Sequence, residues 1–281
     1  MNKLVFSGGG IKGIAFIGCL KALKERDILK NIDTFVGSSV GSVISLLVIL
    51  GYTPEEIETL VLDLDFKSLQ DIKPLKLLTS FGIDSGKNMK EKICKLIEDK
   101  LSLNASEGSA SVNSRDITLL ELYEKTKKTF VVVTTCLNTH KTEYMDYTTE
   151  PDLKVCDAIR MSTSIPFLFT SVTYKNKIYT DGSLLDNYPI GIFEKGDKSY
   201  LGFTLFQTDS DSSVKEINSI YSFISNVIYC VFKELESNKD QTRNQTVFIK
   251  SNINPINFSI KNEKKRELID SGYTETIKYL G

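Results

Sequence analysis

Residues 37–41 read Gly37-Ser38-Ser39-Val40-Gly41, a GxSxG spacing centred on Ser39. Small residues two positions either side of a serine permit a sharp turn that lifts its hydroxyl clear of the backbone. Placed between a strand and a helix, such a turn presents the serine as a nucleophile, with the free N–H groups and positive end of the helix facing its oxygen. The same string fits a plain close-packed turn, and on these residues alone both readings stand. Residues 8–13, Gly8-Gly9-Gly10-Ile11-Lys12-Gly13, expose consecutive backbone N–H groups. They satisfy GxGxxG, so a dinucleotide loop has to be weighed, and with it a nucleotide-binding oxidoreductase. That loop wants an acid at the end of the second strand, where this chain has Gly37-Ser38-Ser39; Asp33 lies before the strand instead. A GxxxxGK phosphate loop is absent as well. The favoured reading is an oxyanion hole, in which the glycine N–H groups face the negative charge of a tetrahedral intermediate.

A nucleophilic serine needs a base. The single histidine, His140, falls between two strand runs and reads as a solvated hairpin tip. One histidine also excludes any multi-histidine metal site. Asp181, in Tyr179-Thr180-Asp181-Gly182-Ser183, stands at a strand end before a turn-permitting glycine. A carboxylate is a weak base near its ordinary pKa of about 4, so Asp181 would need desolvation and direct contact with the serine. By itself the Asp-Gly pair is also an ordinary turn.

The elements that must position these groups alternate. Lys3 to Phe6 is a short apolar run, Ile11 to Lys24 has helical spacing, Thr34 to Val36 is a β-type run, and Val40 to Leu50 is an apolar helix. Pro54 opens a further helix, and Asn88 to Leu101 another. This order predicts an α/β fold, a mostly parallel central sheet flanked by helices, with the Gly8 and Ser39 loops at the same sheet edge. Further on, Leu119 to Lys127 reads as helix and Thr129 to Leu137 as the strongest strand. Lys141 to Tyr147 completes one hairpin and Val172 to Thr180 makes another, turning at Lys175-Asn176-Lys177. Leu201 to Phe206 and Thr246 to Ile249 are later strands. Residues 104–114 read as a flexible loop, and 1–281 as a single domain.

The 281 residues carry 35 basic and 36 acidic side chains, 41% apolar residues and a net charge of −1. Near neutrality argues against a nucleic-acid partner. Five scattered cysteines without a CxxC pair suggest reduced thiols and a cytoplasmic setting. Ile217 to Leu235 is too polar for a membrane span and reads as a buried helix, so the chain is expected to be soluble.

Together these motifs, in this order, resemble the patatin-like phospholipase family, whose pattern is GGGx(R/K)G, then GxSxG, then an Asp-Gly motif. Gly8 to Gly13 with Lys12, Gly37 to Gly41, and Asp181-Gly182 match the three. Met161 to Phe167 resembles the family's Ser-x-x-x-Pro segment, and Asp181 to Pro189 its DGxxxxNxP run. Ser183 stands where the family usually has Gly or Ala. The resemblance extends from about Leu4 to Ile192. It implies a Ser39–Asp181 dyad that works without histidine or calcium, needs no cofactor, and cleaves acyl esters of phospholipids or other lipids as a phospholipase A. N–H groups of Gly8, Gly9, Gly10 and Ile11 would form the oxyanion hole, supported by Lys12, Gly13, Gly37, Gly41 and Gly182. Lys12 reads either as a fixture of the loop and attractor of a phosphate head group or as a solvated helix-start lysine. The substrate would be met transiently at a membrane surface, with Lys67 to Phe81 a candidate interfacial lid or helical cover. The same fold could also serve as a catalytically silent lipid-binding or regulatory module.

Overall fold

A computed structural model of the chain describes residues 1–73, 75–103, 115, 117–206, 217–237 and 245–281. The loop expected at 104–114 lies outside them. Two strand–helix units come first: β1 (Lys3–Phe6) with α1 (Ala15–Glu25), and β2 (Thr34–Ser38) with α2 (Val40–Ile49). The helix pattern that starts at Ile11 begins as a tighter turn, Gly10–Ile14, before α1 proper. In α3 (Pro54–Asp63), Thr53 accepts the Glu56 N–H while the Glu56 carboxylate accepts the Thr53 N–H, and Pro54 takes the first helical position. Then follow α4 (Lys76–Ser80), β3 (Gly82–Asp84), α5 (Lys87–Leu103) and α6 (Leu119–Thr126). The hairpin β4 (Thr129–Cys136) and β5 (Lys141–Met145) leads to α7 (Val155–Ser162), β6 (Phe167–Phe169), the hairpin β7 (Val172–Tyr174) and β8 (Lys177–Asp181), and the short α8 (Ser183–Asp186). The chain closes with β9 (Tyr200–Phe206), α9 (Ile220–Ser237), β10 (Thr246–Lys250) and α10 (Asn262–Leu280).

The main sheet contains β10, β9, β1, β2 and β4 in parallel; β5 and β8 pair antiparallel with β4, β7 pairs antiparallel with β8, and β3 and β6 pair separately. The register along β4 is what makes a site. β2 pairs with residues 129–133, β8 with 134–136, and β5 with 132–136. Because β5 overlaps both of the others, it fills one edge of β4, and β2 and β8 share the second edge end to end. One runs parallel to β4 and the other antiparallel, so their C-terminal ends meet head-on. Ser38 lies opposite Val133 and Asp181 opposite Thr134. Ser39, next after Ser38, and Asp181, 142 positions apart in sequence, thus become neighbours.

Alternation along the strands explains why the sheet is covered on both faces. Leu4, Phe6, Phe35, Phe130 and Val132 face a large core shared with α1, α2 and α10. Val5, Val36, Val131 and Val133 face the opposite side, packed by Tyr188 and Ile190 just after α8. A third cluster, joining Ile83, Ile165, Phe169, Ile224, Ile228 and Ile256, supports α9.

One expectation changes here. α9 is not a buried helix: Ile224 and Ile228 point inward, but Ile220, Phe223, Val227 and Val231 lie 43–55% exposed along another face. Counting apolar residues does not show how many faces of a helix find a partner. The fold also brings Cys94 of α5 beside Cys156 of α7, with Cα atoms 6.0 Å apart across 62 residues, a proximity that their scattered spacing does not announce. Cys19, Cys136 and Cys230 are free. Among the described residues no helix is long and apolar enough to cross a membrane.

Candidate active site

Ser39 occupies the turn between β2 and α2 with φ 51° and ψ −124°, a conformation that non-glycine residues seldom adopt. The turn closes because its flanks are glycines: a Cβ at Gly37 would collide with the Gly41 backbone, and one at Gly41 with the Phe6 carbonyl. Gly41 therefore lets α2 rest directly on the end of β1, beside the Gly8 loop. Gly13 abuts Val40 and Gly182 abuts the Val133 carbonyl in the same way.

The Ser39 hydroxyl donates to Asp181 Oδ2 at 2.7 Å. Asp181 is completely buried, and its second oxygen accepts the Ser183 N–H at 2.8 Å. Burial pushes the Asp181 carboxyl up from 3.8 to about 6, and the bonds from Ser39 and Ser183 pull against that rise. The result is a carboxylate more basic than usual that is still largely ionised at neutral pH, within reach of one hydroxyl proton. His140 lies in the exposed β4–β5 turn, as its sequence position suggests.

A third serine holds this pair in register. Ser162, at the end of α7, accepts the Ser39 N–H at 3.0 Å and donates to the Val133 carbonyl at 2.7 Å. It bridges nucleophile and central strand just where β2 stops pairing. Two residues on, the Ser164 carbonyl accepts the Asp181 N–H at 2.9 Å and also the Thr180 hydroxyl. The buried Arg160 guanidinium bonds the Ser164 hydroxyl, the Ser85 carbonyl at 3.0 Å and the Thr170 carbonyl at 2.8 Å. The Ser-x-x-x-Pro spacing marks this segment in the sequence, but nothing in it says that Ser162 and Ser164 clamp opposite members of one pair.

Of the four N–H groups expected to face an oxyanion, two are engaged. Gly8 donates to the Asn187 carbonyl at 2.9 Å and Ile11 to the Pro255 carbonyl at 2.8 Å. Each amide has one proton to give, so these two leave the donor set. No partner is found among the described residues for the N–H groups of Gly9 and Gly10, whose positive φ values of 154° and 54° suit glycine. Lys12 is 1% exposed and is therefore a buried fixture of the loop, not a solvated lysine. A Cβ at Gly8 would strike the Ser183 hydroxyl, which lies 3.3 Å from that of Ser38. The position where the family motif has a smaller residue thus carries a side chain folded against the glycine loop.

Ser39 opens onto a cavity of about 180 Å³ whose wall includes Val43, Ile44, Leu47, Leu60, Ile93 and Phe258. Its only other polar side chains among the described residues are Lys92 and Thr163. The stretch from Lys67 to Phe81 divides. Leu69 lines the cavity, while Leu75, Leu78 and Phe81 stand 63–83% exposed beyond it.

The patatin-like phospholipase family model matches residues 4–194. The chain belongs to that family. It is 30% identical over 274 residues to a probable lipid hydrolase of Invertebrate iridescent virus 6, covering 95% of this chain and 88% of the viral one. It is 27% identical to the uncharacterized protein YqhO of Bacillus subtilis, covering 98% and 97% of the two chains. Among solved structures, VipD of Legionella pneumophila shares the fold with a TM-score of 0.66 at 19% identity, over 99% of this chain and 66% of VipD. ExoU of Pseudomonas aeruginosa, solved with SpcU, gives 0.55 at 18% identity, over 100% of this chain and 52% of ExoU. This patatin-like chain thus spans about two thirds of VipD and half of ExoU.

Proposed function

We propose that this patatin-like chain is a lipid acyl hydrolase of the phospholipase A type, acting through a Ser39–Asp181 dyad. The observation that carries the reading is the 2.7 Å bond to a fully buried Asp181 from the hydroxyl of Ser39, which lines an apolar cavity. An acyl chain enters the cavity with its ester carbonyl at Ser39. Asp181 takes the hydroxyl proton as Ser39 attacks, and the N–H groups of Gly9 and Gly10 hold the oxyanion. The leaving alcohol takes that proton back, and an acyl-Ser39 ester remains. Asp181 then takes a proton from water as its oxygen attacks the acyl carbonyl, and returns that proton to the departing Ser39 oxygen as the fatty acid leaves. No cofactor enters these steps. Support comes from the family, whose name is that of a phospholipase, and from the viral relative named a probable lipid hydrolase. The substrate resides in a bilayer, so the chain works at a membrane surface.

The test compares wild type, Ser39→Ala, Asp181→Asn and His140→Ala on a short-chain ester, with a fluorophosphonate probe and phospholipid product analysis. We expect turnover to fall by about three orders of magnitude or more in the first two variants and to persist in His140→Ala. A fatty acid and a lysophospholipid should appear together. Loss in His140→Ala would replace the dyad with a histidine-dependent site. Absence of labelling in wild type would favour the silent lipid-binding module.

A further inference from the structure

A second hollow lies away from Ser39. This groove, of about 480 Å³, runs between Gln70 and Ile72 ahead of α4, Ser222, Ser225 and Asn226 on α9, and the 254–259 segment. Among the described residues no Lys, Arg, Asp or Glu lines it. Its amides are sorted by local bonds. The Oδ1 atoms of Asn254 and Asn257 accept the backbone N–H groups of Ile256 and Ser259, both at 3.1 Å, so their NH₂ groups remain as donors. Asn226 does the reverse: its NH₂ donates to the Ser222 carbonyl at 2.7 Å and its Oδ1 remains as an acceptor. Ser225, also in the lining, is 5% exposed and its hydroxyl has no hydrogen-bond partner among the described residues. A buried hydroxyl left unpaired is costly, and its presence in the wall of a groove marks a place for a ligand group.

We propose that this groove binds the uncharged, hydroxyl-rich head group of a membrane lipid, of the glycosyl diacylglycerol kind, at a site distinct from Ser39. A sugar hydroxyl both donates and accepts, which matches a wall offering amide donors, an amide acceptor and a hydroxyl. A phosphate would call for Lys or Arg, and among the described residues the groove has neither. Ile72 and Phe258 supply apolar surface for the C–H faces of a ring. The surroundings select a lipid over a free sugar: Leu75 and Leu78 on the α4 side are 83% and 82% exposed, and Phe223 and Val227 on α9 are 55% and 44% exposed. Apolar residues standing free beside a polar groove suit a bilayer interface, and a dissolved sugar has no use for them. Phe258 lines both this groove and the cavity below Ser39, so a lipid held here lies beside the ester site.

The test is flotation of the full chain with vesicles of phosphatidylcholine alone and of phosphatidylcholine with glucosyl diacylglycerol. The readout is binding, so it stands whether or not Ser39 cleaves esters. We expect the glycolipid to tighten binding about tenfold, the effect of a few hydrogen bonds. Ser225→Ala and Asn226→Leu should each remove most of that increment. Ser225→Ala deletes an unpaired hydroxyl, so its melting temperature should not fall, which separates lost binding from lost folding. Equal binding to both vesicles, or an increment that survives both variants, overturns the proposal. Methyl glucoside in solution, bound as tightly as the glycolipid vesicles, overturns the lipid as the source of the sugar.

Discussion

The two hollows that meet at Phe258 are built on opposite principles. Around Ser39, polar groups are spoken for: Asp181 receives two hydrogen bonds, Ser162 bridges two backbone groups, and the amides of Gly8, Ile11 and Ser39 all have carbonyl or hydroxyl partners. Among the described residues the Gly9 and Gly10 amides assigned to an oxyanion have no such partner. In the groove beside α9, two amide NH₂ groups, one amide oxygen and one buried hydroxyl are left open. A site that must hold a reacting atom still needs its supports satisfied, because a half-paired network loses its geometry. A site that recognises a polar ligand needs the reverse, with its own bonds unmade until the ligand arrives.

The largest effect that tests this contrast concerns Asp181. Its carboxyl titrates near 6 because burial disfavours the charge. Ester turnover should therefore rise as pH increases through about 6 and level off above it. The consequence for stability has the opposite sign. A carboxyl raised from 3.8 to about 6 favours the folded state when protonated, so its contribution is fully present below pH 4 and is lost as pH rises through 6. Asp181→Asn removes the buried charge while keeping groups that can pair with Ser39 and Ser183. That variant should be inactive and yet more stable than wild type at pH 8, by about 1–3 kcal/mol, the difference shrinking toward pH 4. Denaturant unfolding at the two pH values checks it. An inactive variant with no gain at pH 8 would mean that Asp181 is not held against a desolvation cost.

Ser162→Ala should come next. It leaves the Ser39 N–H and the Val133 carbonyl without their shared partner, at about 1–3 kcal/mol of stability. Turnover should fall by about ten- to a hundredfold with KM little changed, since Ser162 positions Ser39 and touches no substrate. Ser162→Thr, which keeps the hydroxyl, should recover part of the rate. A change in KM alone would remove Ser162 from the positioning role.

How far these relations can be read from the sequence depends on their range. Ser39 and Asp181 are legible because local rules mark both. A strand that ends in a GxSxG turn and a strand that ends in Asp-Gly announce themselves within a few residues. That the two strand ends meet is not local: it follows from β5 filling one edge of β4 and leaving the other to β2 and β8. The same limit hides the role of Ser162, the fate of the Gly8 and Ile11 amides, and the Cys94–Cys156 pair, each of which needs a partner far along the chain. Lys12 reads equally as a loop fixture or a solvated lysine until its burial decides for the fixture. Composition misleads about α9, whose apolar residues belong to two faces with different surroundings.

α9 provides the smallest and cleanest comparison, because neighbouring positions sit on either face of one helix. Ile228 is 6% exposed, within the cluster that contains Phe169 and Ile256, and Val227 is 44% exposed. Ile228→Ala leaves a hole in a packed cluster and should cost about 2–4 kcal/mol in unfolding. The double variant Phe223→Ser and Val227→Ser changes side chains that already contact water, so unfolding should move by no more than about 0.5 kcal/mol. Turnover of a dissolved short-chain ester should be unaffected in the double variant, because neither residue lines the cavity at Ser39. Binding to phosphatidylcholine vesicles should nevertheless weaken, because those side chains would otherwise leave water for the interface, each worth on the order of 1 kcal/mol. If the double variant unfolds early, the stripe packs against protein. If it is stable and binds vesicles as wild type does, the face that meets the membrane is elsewhere on the molecule.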